Sequence, residues 1–173
     1  WLAGIVTTIT SNSNLNDYIL TGFFGNGNTS VIRTWVNTPA NWPANEAILE
    51  VYTLGNYAIQ RFSSVTTKVS AQRSLLNDVW AEWEWVNPPM ELGVEYRTTE
   101  RYRSKPVYCK LVDFGKLPNN AVKIVAHGIS NLQYAISVTG ESNGDNLIGN
   151  MYITYVHIGY TKIIKKTKSE NSV

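Results

Sequence analysis

The 173-residue chain holds one cysteine, Cys109, two histidines, and a charged fraction of 16%. Ordinary soluble domains carry roughly 25% charged residues. A lone cysteine excludes an intrachain disulfide framework and any multi-cysteine metal site. A net charge of only +2 is too small to argue for a surface that tracks phosphates, so nucleic acid is not an expected partner. No apolar run approaches the roughly 18 residues of a membrane span, so membrane insertion is not expected either. The opening WLAGIVTTIT lacks a basic leader region and the chain starts without Met, so it reads as a piece of a longer protein. Catalytic signatures are missing too: there is no P-loop, no G-x-S-x-G and no H-E-x-x-H. Asp113-Phe114-Gly115 stands without the glycine-rich loop and catalytic loop that would make it a kinase magnesium motif. No cofactor is expected, and the chain does not read as an enzyme.

Eighteen Asn and sixteen Thr take the place of the missing charges. Asn favours turns and positive φ, and Thr favours strands. Many short strands joined by tight turns follow, so the expected fold class is all-β and antiparallel. At this length one ordinary domain or two small ones can form, with about 70% of the unfolded surface buried.

Along the chain, residues 1–12 read as a connecting segment. Strands are expected over 18–24, 31–36, 46–54, 57–63, 65–74 and 79–86. Gly55-Asn56 is a hairpin turn, and the loop of residues 37–43 is enforced by two prolines. Asn87-Pro88-Pro89 is a stiff joint, dividing a module over 13–89 from a second over 90–173. Beyond the joint, strands are expected at 96–102, 107–114, 121–126, 133–139 and 151–162, enough for a small β-sandwich. Lys162, Lys165, Lys166 and Lys168 read as a solvated, frayed tail.

The stretch from Tyr102 to Ile129, YRSKPVYCKLVDFGKLPNNAVKIVAHGI, carries an ordered set of elements. They are Lys105-Pro106-Val107-Tyr108, Asp113-Phe114-Gly115, Leu117-Pro118-Asn119, Lys123 and Ala126-His127-Gly128-Ile129. In this order they resemble a motif of phage tail fibres and receptor-binding proteins. The first half is similar, more loosely, to the knob module of pyocin and phage tail fibres. Leu15-Asn16, Gly22-Phe23-Phe24, Asn37-Thr38-Pro39, the strands around Val51 and Ile59, and Trp80 with Trp83 carry that likeness. The resemblance implies a knob-like β module followed by a β-sandwich head at the distal tip of a virion tail or phage-like particle. It also implies a homotrimer that recognises a bacterial surface polysaccharide or another surface receptor noncovalently. A purely structural trimerisation tip and a glycan depolymerase are the alternatives.

Six Trp and ten Tyr supply aromatic faces that can stack on sugar C–H faces. Trp42, between Asn41 and Pro43 in a loop, is the best candidate for an exposed platform, with Trp35 second; loop anchoring competes with ligand contact at Trp42. Tyr134, Tyr152 and Tyr155 lie on second-half strands, where burial competes with binding. With Asn41 these make up the candidate ligand-binding set. Trp80, Trp83 and Trp85 read as core. Glu82 and Glu84, two apart, would share one face of an unbroken strand; a solvated face is the simpler reading and a catalytic carboxylate pair the alternative. For His127, beside a glycine, a local hydrogen bond that fixes the turning backbone is expected. Asp113 is expected to cap the turn at Gly115.

Overall fold

A computed structural model describes residues 7–115, 124–130, 132–141 and 160–168. The chain divides into two compact units, Trp1–Pro89 and Met90–Val173, and both are built from strands. The fold class is all-β, as expected.

In the first unit the strands are β1 (Thr7–Thr8), β2 (Gly22–Asn26), β3 (Ala47–Leu54), β4 (Tyr57–Ser63), β5 (Ser70–Leu76), β6 (Val79–Trp80) and β7 (Glu84–Asn87). They form a sheet in the order β1-β2-β3-β4-β5-β7, with β6 paired separately to β5. The β1–β2 pair is parallel, which departs from a purely antiparallel sheet; the other pairs in this unit are antiparallel. Strict alternation explains the core. Ala47, Leu49 and Val51 on β3 and Ala58, Gln60 and Phe62 on β4 point inward. Ile9, Leu15, Ile32 and Trp35 close over the sheet residues Leu49, Val51 and Phe62. Gly25 is required by close approach, since a Cβ there would lie 2.6 Å from the Ala47 carbonyl oxygen.

Two expectations fail in this unit. Val31–Val36 is not a strand: a short helix, α1 (Thr29–Ile32), occupies its start. The Asn28 side chain accepts from the Ser30 N–H at 3.0 Å, and this local cap outweighs the β-branched composition. The second failure concerns residues 79–86, which do not form one strand because 81–83 interrupt the run between β6 and β7. The unbroken strand on which a Glu82–Glu84 pair depended is therefore absent.

In the second unit β8 (Glu95–Tyr102), β9 (Lys105–Gly115), β10 (Leu132–Glu141) and β11 (Tyr160–Lys168) form an antiparallel sheet ordered β8-β9-β11-β10. Among the described residues these strands make one sheet rather than the two of a sandwich. Tyr96, Val107, Cys109, Val112, Ile129 and Val138 are buried. Cys109 is a buried thiol 3.6 Å from the Met90 sulfur. The lysine-rich segment is no frayed tail. Its backbone lies between β9 and β10, with Lys166 opposite Tyr108 on one side and Ala135 on the other. Residues 124–129 are not a strand, and the rest of the strand expected over 121–126 lies outside the described residues.

Candidate ligand-binding site

Local turn chemistry builds an aromatic cluster beside an exposed arginine in the second unit. β8 and β9 are joined by Arg103-Ser104 alone, with φ of 50° and 65°. Positive φ at both central positions of a two-residue hairpin loop is the type I′ pattern, usually filled by Asn-Gly or Asp-Gly. Two ordinary side chains held there are strained. The turn projects Tyr102 and Arg103 from the end of the sheet. Two strands lie between β8 and β10 in the sheet order, yet the rings of Tyr102 and Tyr134 meet, with centroids 5.8 Å apart and planes inclined at 57°. The Arg103 guanidinium stands 5.5 Å from the Tyr102 ring and 5.6 Å from the Tyr134 ring. Arg103 is exposed and Tyr134 is 47% exposed. Two rings and a cation at hydrogen-bonding height present an apolar face with a polar edge, which suits a sugar.

Elsewhere along β9 the Asp and His of the motif make the local hydrogen bonds expected of them. Gly115, at φ 60°, donates its N–H to Asp113 Oδ1 at 2.7 Å. Ile129 donates its N–H to His127 Nδ1 at 3.1 Å, and Lys110 Nζ donates to the Gly128 carbonyl at 3.0 Å. Among the described residues no group of three or more His, Cys, Asp and Glu gathers into a metal site.

Of the residues proposed from the sequence, Tyr134 alone joins this cluster. Trp35 is 5% exposed, with its Nε1 donating to the Thr10 carbonyl at 2.9 Å, so it has no face for a ligand. Trp42 is a loop anchor: it packs 4.5 Å from Phe62, stacks at 5.9 Å and 15° on Trp85, and donates from Nε1 to the Glu46 carbonyl. A loop carries no periodicity, so nothing in the sequence could show that this ring turns inward. Asn41 is exposed at φ 57° beside it, away from any exposed ring platform in the first unit. Tyr152 and Tyr155 lie outside the described residues.

No family model matches the chain, and no curated protein does. Among solved structures, an N-truncated R2-type pyocin tail fibre is similar over 94% of this chain and 92% of its own length, at 10% identity and a TM-score of 0.38.

A second cluster was missed from the sequence. Arg73 is 7% exposed and lies between two indoles, 4.3 Å from the Trp80 ring and 4.5 Å from the Trp83 ring. Its Nε donates to Gln60 Oε1 at 2.9 Å, while Gln60 Nε2 donates to the carbonyls of Leu15 at 2.6 Å and Tyr18 at 2.9 Å. Burial lowers the guanidinium pKa to about 10. The signal was present: Arg73 sits between Ala71 and Leu75 on the inward parity of β5, where a charge is exceptional. This arrangement ties the 3₁₀ turn Leu15–Asp17 to the sheet and reads as architecture.

Proposed function

We propose that the chain is a receptor-binding module of a phage-type tail fibre that holds a bacterial surface polysaccharide noncovalently. The observation that carries this reading is the patch of half-buried Tyr102 and exposed Arg103 and Tyr134 at a strained hairpin turn. Strain at exposed turns is retained where side chains have work at that place. The ordered elements from Tyr102 to Ile129 supply the tail-fibre setting, at the distal tip of a virion or phage-like particle, facing the host. Binding without turnover is part of this proposal; the Glu82–Glu84 pair, on which the depolymerase alternative rested, does not lie on one unbroken strand. The test is binding of the purified chain to susceptible bacteria and to a glycan array, with Tyr134→Ala alongside. Loss of at least ten-fold in apparent affinity is expected for the variant, from about 1.4 kcal/mol of lost stacking. Binding to no bacterial surface, or release of reducing ends from a bound polysaccharide, overturns the proposal.

A second observation favours an assembly role for the first unit. Tyr52, Leu54, Tyr57, Ile59, Leu76 and Val79 share the outer face of its sheet and are all exposed, Leu54 at 80%. Direct cross-strand pairs join them: Tyr52 with Ile59, Leu54 with Tyr57, Tyr57 with Leu76, and Leu76 with Val79. A contiguous exposed apolar face marks an interaction surface. We propose that it packs in a homotrimer, whose three sites raise the overall affinity by avidity.

A further inference from the structure

We infer that the first unit holds a ligand site of its own, at the Nη edge of Arg73, and that its ligand is a small hydroxy acid. The carboxylate of the ligand meets the guanidinium, and its hydroxyl donates to Asn16 Oδ1. Arg73 is 7% exposed and is covered by the Trp80 and Trp83 rings, contacts that spend none of its N–H groups. Its Nε is spent on Gln60 Oε1. Nη2 is shut off from solvent without a hydrogen-bond partner, and no carboxylate pairs with this side chain among the described residues. Desolvation is the one influence on its pKa, with no anion to offset it. Buried charges are ordinarily paired and buried donors bonded, so this guanidinium is built for a partner that the described residues do not supply.

Asn16 Oδ1 is likewise shut off from solvent without a partner. Trp80, whose ring centroid lies 4.3 Å from the Arg73 guanidinium carbon, donates from Nε1 to the Asn16 carbonyl at 3.3 Å. Gln60, which holds Arg73 Nε, also holds the carbonyl of Leu15, the neighbour of Asn16. An unspent donor on a cation and an unspent acceptor thus belong to groups that touch the same indole. With Nε taken, the edge left on the guanidinium is the Nη pair, where a carboxylate accepts two in-plane hydrogen bonds. A neutral sugar would leave the charge uncompensated. An acid without a hydroxyl would leave Asn16 Oδ1 unpaired. A sugar acid and a free hydroxy acid both meet the two demands. Trp80 and Trp83 are half-buried, and exposed Ala81-Glu82 joins them outside any strand, so ligand entry displaces that connection.

The experiment titrates the whole chain, at constant ionic strength, with glucuronate, glycolate, acetate, glucose, inorganic phosphate and chloride, read by calorimetry and tryptophan fluorescence. Saturable binding of glucuronate and glycolate is expected, with a change in indole emission. Asn16→Ala weakens it about ten-fold. Arg73→Lys keeps the charge without the paired Nη donors and weakens it at least as much; if that variant does not fold, Asn16→Ala still decides. Tyr134→Ala leaves this binding unchanged while it lowers polysaccharide capture, so the two sites fail separately. Tighter binding of glucuronate than of glycolate identifies a glycan as the source, and the reverse a free acid. Acetate as tight as glycolate, or phosphate tighter than either, overturns the hydroxy-acid assignment. No saturable binding, an equal response to chloride, or binding unchanged in both first-unit variants overturns the site itself. A crystal structure grown with glycolate in which Arg73 Nη2 holds only water, or a carboxylate of a second copy, overturns it too.

Discussion

Glu46 shows how one side chain can hold a loop. Its Oε1 accepts from Ser64 Oγ at 2.6 Å, the Val65 N–H at 2.7 Å and the Thr66 N–H at 2.9 Å, and its Oε2 accepts from Thr66 Oγ1 at 2.8 Å. Desolvation alone would raise its pKa, but these hydrogen bonds outweigh it and bring the carboxyl from 4.5 to about 2. The folded pKa lies below the unfolded one, so the contribution to stability is complete above pH 4.5. It is lost as pH falls through that value toward about 2. Glu46→Gln is expected to lower stability at pH 7 by about 1 kcal/mol after allowance for solvent screening, and to flatten the decline between pH 5 and 2; urea midpoints across that range check both. Arg73 makes the complementary case, a cation whose burial is offset by two indoles and Gln60. Arg73→Lys retains the charge but loses the planar stack and the Nε bond, so a fall of about 2 kcal/mol is expected in the same assay. A variant as stable as the parent would show that the indoles do not depend on the guanidinium plane.

Among the elements, the hairpins separate what sequence discloses from what it hides. Gly55-Asn56 was legible because glycine at the first position of a two-residue loop has few other uses, and Gly55 has φ of 58°. Arg103-Ser104 hides a two-residue turn with positive φ at both positions under residues that disfavour it. Replacing them with Asn-Gly is expected to stabilise the chain by about 1 kcal/mol and to weaken glycan binding at least ten-fold; thermal melts and array binding read the two effects. Stabilisation with unchanged binding would remove Arg103 from the site. The β3–β4 hairpin could be read from alternation because its partners are neighbours in sequence. The place of β11 could not, because TKIIKKTK finds its partners in β9 and β10, and nothing local announces a distant ladder. Likewise Val31 to Val36 has strand composition, and only the Asn28 cap reveals a helix.

For the whole molecule, the division of labour between the units gives a direct test. If the outer face of the first sheet packs against other copies, Ile59→Arg is expected to shift the mass in solution from trimer to monomer while each chain still binds glycan, with apparent affinity on a multivalent surface falling 10²-fold or more. A parent chain that is strictly monomeric in light scattering would count against the assembly role and leave the single-site binding prediction intact. The position of β11 also bears on how the second unit comes into being. Among the described strands of this unit the one latest in sequence, β11, is an interior one, so β10 has no described β-ladder partner until β11 arrives between it and β9. Folding of this unit therefore waits for β11 and closes over long sequence separations, which slows it. Chains shortened before residue 160 would expose two unpaired edges, and the edge-to-edge association that follows gives truncated products a route to aggregation.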